Sequence, residues 1–186
     1  MKLESTIITP IAPQALPASP LLNSTRSFYQ VLSQPAPLAG MRYPDEKFWP
    51  WHDLQTAGFA SVVCLTHSSP RYDPAPLRVL YSAAFDDLWG GSQPSDPARE
   101  ADMLFQVVGR VCNELMAGRG VVVHCQGGTG RTGTVIACTL RAMGVPYEAI
   151  LKYMDSVNLS RNKYPGWPES PWQKQQVERF DRRQDV

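Results

Sequence analysis

Residues 121–134, VVVHCQGGTGRTGT, constrain this chain more than any other segment. Three consecutive β-branched valines predict a strand at residues 121–123, and a run without polar alternation suits a strand covered on both faces, as parallel sheets require. A glycine-rich turn follows. Residues 132–143 then resume as a helix stopped at Gly144. The chain therefore carries a strand, loop and helix unit of the kind that builds α/β domains.

The flanking sequence supplies further elements of the same type. Residues 28–32 and 38–43 read as short strands separated by Pro35 and Pro37, and residues 47–57 as a short helix with Gly58 as its stop. Residues 60–65 (ASVVCL) form a second buried strand. Residues 77–85 predict another, reached through a proline-containing loop with little room for a crossover helix. Ala101, Leu104, Phe105, Val108, Val111, Cys112 and Leu115 then recur at helical spacing, with Asp96 as cap, Pro97 at the first position, and Gly118 and Gly120 beyond the end. Helices are expected at residues 146–157 and 172–180, with a loop over 158–171. The reading is a single α/β domain over residues 27–186: a mostly parallel central sheet of about four to five strands, flanked by helices. Residues 1–26, with Pro10, Pro13, Pro17 and Pro20 among small polar residues, are expected to be a flexible arm.

Charge narrows the function. Eighteen Lys and Arg against 17 Asp and Glu leave a formal charge of +1 with no basic run, which argues against nucleic-acid binding. No apolar stretch approaches the roughly 18 residues of a membrane span, and the N-terminus lacks the apolar core of a secretion signal, so a cytoplasmic location is expected. Cys64, Cys112, Cys125 and Cys138 are too few for a disulfide scaffold and read as free thiols. His52 and His67 have no neighbours at metal-ligand spacing; neither metal nor cofactor is implied.

Two glycine-loop chemistries compete at the central segment. Gly128, Gly130 and Gly133 match the dinucleotide-binding spacing, but the next segment reads as a helix where that fold needs a strand and an acidic residue. A nucleoside-triphosphate loop needs a lysine, and none lies between Arg119 and Leu140. The other reading uses Cys125 and Arg131. Between them, Gln126, Gly127, Gly128, Thr129 and Gly130 can turn their backbone N–H groups inward as a nest for a phosphate dianion. The same N–H groups and the helix N-terminus would favour a thiolate at Cys125, and the planar Arg131 fork would hold two phosphate oxygens.

At His124, Cys125, Arg131 and Thr132 the segment resembles the H-C-x5-R-[ST] motif of the cysteine-dependent protein phosphatases. LAGMRYP, GFASVVCL and GTVIACTLRAMG extend the likeness over roughly residues 38–180. It is nearest to the small dual-specificity and kinase-associated phosphatases. The resemblance implies that Cys125 is the nucleophile and Arg131 the phosphate clamp. His124 would orient the loop and tune the thiol, and Thr132 would donate a hydrogen bond to the departing sulfur. It also implies a general acid in FDDLWGGSQPSDP, where the residues alone leave Asp86, Asp87 and Asp96 open. The family order of hydrophobic, any, Asp, hydrophobic selects Asp87, with Asp86 as the alternative, while Asp96 reads as a helix cap. Gln173 falls in register with the glutamine that positions water, or is a solvated helix residue.

The implied function is metal-independent hydrolysis of phosphate monoesters, with a phosphorylated protein or another phosphate ester as substrate. A phosphoinositide or small-molecule phosphatase, and a phosphate-recognising module with little turnover, are the alternatives. Substrate choice would depend on cleft depth, set by loops near residues 42–51 and 167–172.

Overall fold

A computed structural model describes residues 27–44, 51–164 and 166–180. The expected arm at residues 1–26 lies outside the described residues, as do residues 47–50 of the expected first helix. A five-stranded sheet is ordered β1-β2-β5-β3-β4. Its strands are β1 (Phe28–Leu32), β2 (Leu38–Met41), β3 (Phe59–Cys64), β4 (Arg78–Ser82) and β5 (Gly120–His124). Only β1 runs antiparallel to its neighbour; β2, β5, β3 and β4 are mutually parallel.

The central position of β5 explains its valines. Val121 and Val123 enter the larger core beneath α2 (Pro97–Met116), α3 (Gly130–Ala142), α4 (Tyr147–Ser160) and α5 (Pro171–Arg179). Val122 points the other way, into a smaller core with Leu54 of α1 (Trp51–Thr56), Phe59 and Val62. Both faces are covered, so alternation disappears from the sequence. Met41, His124, Cys64 and Ser82 are paired across adjacent parallel strands, which brings the carboxyl ends of four strands to one edge. In parallel α/β sheets this edge is where ligands bind.

Several boundaries differ from the sequence expectation for identifiable reasons. β2 ends at Met41 rather than at residue 43, because the Tyr43 N–H turns away to donate to the Gln126 carbonyl at 3.1 Å. β4 stops at Ser82 rather than 85: Ala83 and Phe85 still donate to Cys64 and Leu65, but the chain is already peeling toward α2. α3 starts at Gly130, two residues earlier than expected, with Gly133 N–H reaching the Thr129 carbonyl at 2.8 Å. α4 continues to Ser160 rather than stopping at 157. α5 starts at Pro171, where Ser170 and Gln173 form a reciprocal capping box. Phe105, counted among the apolar stripe of α2, is 47% exposed and stays at the rim, against the buried core residue Phe180.

Candidate active site

The loop between β5 and α3 wraps around the Cys125 sulfur. Cys125 is 3% exposed, and the Gly128 N–H donates to its Sγ at 3.3 Å. Gly128 adopts φ +70°, and a side chain there would run into the Met41 carbonyl and Arg42 N–H, so only glycine fits the turn. The loop is also held from outside. Arg161, just past the end of α4, donates from Nη1 to the Gly128 carbonyl at 3.0 Å, with its guanidinium 4.1 Å from the centre of the Tyr29 ring. Arg161 is fully enclosed, which makes it a fixed strut for the loop backbone.

His124 is completely buried, and its Nε2 pairs with the Tyr72 hydroxyl. Burial depresses its pKa to about 4, with a smaller contribution in the same direction from the nearby His67. The imidazole is therefore neutral near pH 7, and its hydrogen bond goes to Tyr72 rather than to the neighbouring thiol. Thr132 is also completely buried. Its hydroxyl has no hydrogen-bond partner among the described residues, so the contact expected with Cys125 is not made in this structure.

The segment after β4 separates the three aspartates. Asp87 Oδ2 pairs with Arg131 Nη2 at 2.9 Å, and Arg131 Nη1 donates to the Phe85 carbonyl at 3.2 Å. Asp86 turns back on its own loop, its Oδ2 accepting from the Ser95 N–H and hydroxyl at 2.7 Å each. Those two hydrogen bonds hold the Asp86 carboxyl below its usual range, an environment that favours the anion. Asp96 caps α2 by accepting from the Arg99 N–H at 3.0 Å. Glu100, one turn into α2, accepts from the Asp86 N–H at 2.9 Å and so anchors the loop from below. Trp89 stands 75% exposed on a short 3-10 turn, Trp89–Gly91, which takes up the extra length between Asp87 and α2.

Asp87, Cys125, Arg131 and the loop residues Gln126, Gly127, Thr129 and Gly130 line one cavity of about 260 Å³, together with Trp89, Lys163 and Glu169. A larger cleft of about 570 Å³ adjoins it and shares Trp89, Thr129, Lys163 and Glu169; Asn158, Asn162 and Tyr164 extend it. Gln173 is 2% exposed, its Oε1 accepting from the Ser170 N–H at 3.1 Å and its Nε2 facing Gly130. It is neither a solvated helix residue nor free to move, because the capping box fixes it. The spacing Ser170-x-x-Gln173 is the signal that would have identified it. Tyr72, Arg161 and Glu169 reach the site from distant parts of the chain and were missed.

Comparison with known proteins adds an independent line. Residues 30–175 match a family model described as "Swiss Army Knife protein, DSP-PTPase phosphatase domain". No curated protein matches the sequence. Among solved structures, DUSP15 is similar with a TM-score of 0.59 at 18% identity, covering 84% of this chain and 88% of its own. A serine-substituted form of P. aeruginosa TpbA in complex with pTyr gives 0.52 at 18% identity, covering 78% and 84%. Kinase associated phosphatase with its catalytic-site cysteine replaced by serine gives 0.54 at 17% identity, covering 80% and 87%. At these identities the likeness establishes the fold.

Proposed function

The chain belongs to the DSP-PTPase phosphatase family, and from that premise we propose that it hydrolyses phosphate monoesters through a cysteinyl-phosphate intermediate, as a protein tyrosine or dual-specificity phosphatase. The observation that carries this reading is the convergence of Asp87, Cys125 and Arg131 on one cavity floored by the phosphate-loop backbone. The Cys125 thiolate attacks phosphorus while Arg131, released from Asp87, and the loop N–H groups hold the non-bridging oxygens. Asp87 gives its proton to the leaving oxygen. A water then attacks the thiophosphate, its proton passing back to Asp87 and the sulfur leaving as thiolate. In this reading the Thr132 hydroxyl, which has no hydrogen-bond partner among the described residues, turns to donate to the departing thiolate, His124 orients the loop, and Gln173 borders the path of the water.

The catalytic unit in this reading spans residues 27–186, with residues 1–26 as an arm ahead of it. Four free cysteines suit a reducing compartment, which is the basis for placing the enzyme in the cytoplasm. The complex of TpbA with pTyr supports phosphotyrosine as a first substrate to try. Lys163 on the cavity wall favours a second reading, a more highly phosphorylated ester such as a phosphoinositide on the same site.

An aryl phosphate with a chromogenic phenol tests the chemistry. Wild-type protein is expected to turn it over with a chelator present, and Cys125→Ser to be inactive, because a serine hydroxyl is not ionised near neutral pH. Turnover by Cys125→Ser, or loss of activity on chelation, overturns the reading. Profiling the active protein against phosphotyrosine and phosphothreonine peptides and phosphoinositides then selects the substrate class.

A further inference from the structure

A second carboxylate reaches the phosphate cavity from a segment that the mechanism above leaves idle. Glu169 lies in the turn between α4 and α5, directly before the Ser170 cap, and the buried Trp172 and Gln173 that follow fix where the turn sits. Its Oε2 occupies the space that a side chain on Gly130 would take, over the first residue of α3. It lines the same cavity as Asp87, Cys125 and Arg131.

Two carboxylates on one phosphate cavity pose a question of division of labour. The ion pair with Arg131 uses Asp87 as the anion, and its side chain is 63% exposed at the mouth. Bond cleavage needs a carboxylic acid. Glu169 sits deeper: burial pushes its carboxyl up from the ordinary value, the facing Asp87 charge adds to this, and Arg131 and Lys163 pull against it.

We propose that Glu169 is a second general acid–base residue of this site, able to act in place of Asp87. As the bond from Cys125 sulfur to phosphorus forms and the bond from phosphorus to the leaving oxygen breaks, the Glu169 proton passes to that oxygen and the alcohol departs. Glu169, now anionic, takes a proton from the water that attacks the thiophosphate, so inorganic phosphate leaves and Cys125 regains its thiolate. The assignment rests on the function proposed above and deepens it.

The test compares kcat/KM for Asp87→Asn, Glu169→Gln and the double variant, on an alkyl phosphate and on an aryl phosphate whose phenol is already acidic. On the alkyl ester each single change is expected to cost about 10-fold, and the double change roughly 10³- to 10⁴-fold, more than the product of the singles. On the acidic phenol ester all three should stay near wild type, which also reports that they fold. The alkaline limb of the kcat/KM–pH profile should survive in Asp87→Asn and vanish only in the double variant. A double variant no slower than Asp87→Asn on the alkyl ester overturns the proposal. Should the double variant misfold, Asp87→Asn with Glu169→Asp keeps a carboxylate at the position: retained leaving-group assistance supports the proposal, and its absence overturns it. Failure of the cysteine mechanism is distinguished by Cys125→Ser, which would then keep turnover; loss there with a merely multiplicative double variant removes Glu169 alone.

Discussion

Arg131 spends both terminal nitrogens on the segment that carries Asp87, one on the Phe85 carbonyl and one on the carboxylate. A planar fork can exchange those partners for two phosphate oxygens without moving its stem, whereas an ammonium is a single point of charge. Arg131→Lys is therefore expected to lose nearly as much kcat/KM as Arg131→Ala, on the order of 10²-fold or more. Steady-state kinetics with the aryl ester decide it: a lysine variant within a few-fold of wild type would mean that charge alone suffices. This residue and Cys125 were legible because the loop that joins them is continuous in sequence. Glu169, Arg161 and Tyr72 were not, since each reaches the site through packing of α4, α5 or the loop after β3, and no local spacing ties them to Cys125. The residues alone left the adjacent Asp86 and Asp87 open and the family order chose Asp87; the structure turns them to different partners, Ser95 and Arg131.

The segment after β4 and the start of α2 behave as one element with two anchors. Asp96 satisfies the Arg99 N–H at the helix start, and Glu100 satisfies the Asp86 N–H in the loop. Asp96→Ala is expected to cost about 0.5 to 2 kcal/mol of stability in denaturant titration, with no change in leaving-group dependence, because the cap does not reach the cavity. A leaving-group effect in that variant would move the acid to Asp96. Glu100 works differently: burial pushes its carboxyl up to about 7, although the Asp86 hydrogen bond pulls it down. A glutamine keeps the accepting oxygen and removes the charge, so the loop should hold its place. At this scale most elements were visible from periodicity and capping residues. The crossing from β3 to β4 was legible as a loop too short for a helix, but not that residues 65–77 join two parallel neighbours, in little more than the dozen or so residues such a crossing needs.

Across the whole molecule, the edge opposite the active site is drawn together by one carboxylate. Glu114, near the end of α2, accepts from the Ser61 hydroxyl of β3 at 3.1 Å and pairs with Arg78 of β4 at 2.6 Å and Arg119 before β5 at 2.8 Å. Hydrogen bonds from Arg119, and then from Arg78 and Ser61, hold its carboxyl down at about 2 against the opposing effect of burial. Ser61 and Arg78 could not be read as partners from the sequence, since they come from separate strands, yet with Arg119 they join α2 to the sheet. A carboxyl lowered on folding stabilises the native state above its unfolded value near 4.5 and loses that contribution as pH falls toward 2. Glu100 has the opposite sign: its raised carboxyl contributes most below its unfolded value of 4.5, and the contribution is lost as pH rises through about 7. The melting temperature should therefore fall between pH 5 and pH 2, and this drop should be shallower in Glu114→Gln. Glu100→Gln should gain stability relative to wild type between pH 5 and pH 8, where the buried charge is removed. Calorimetry of the three proteins across that range checks both signs together, and an acid limb as steep in Glu114→Gln as in wild type would show that other carboxylates hold this edge.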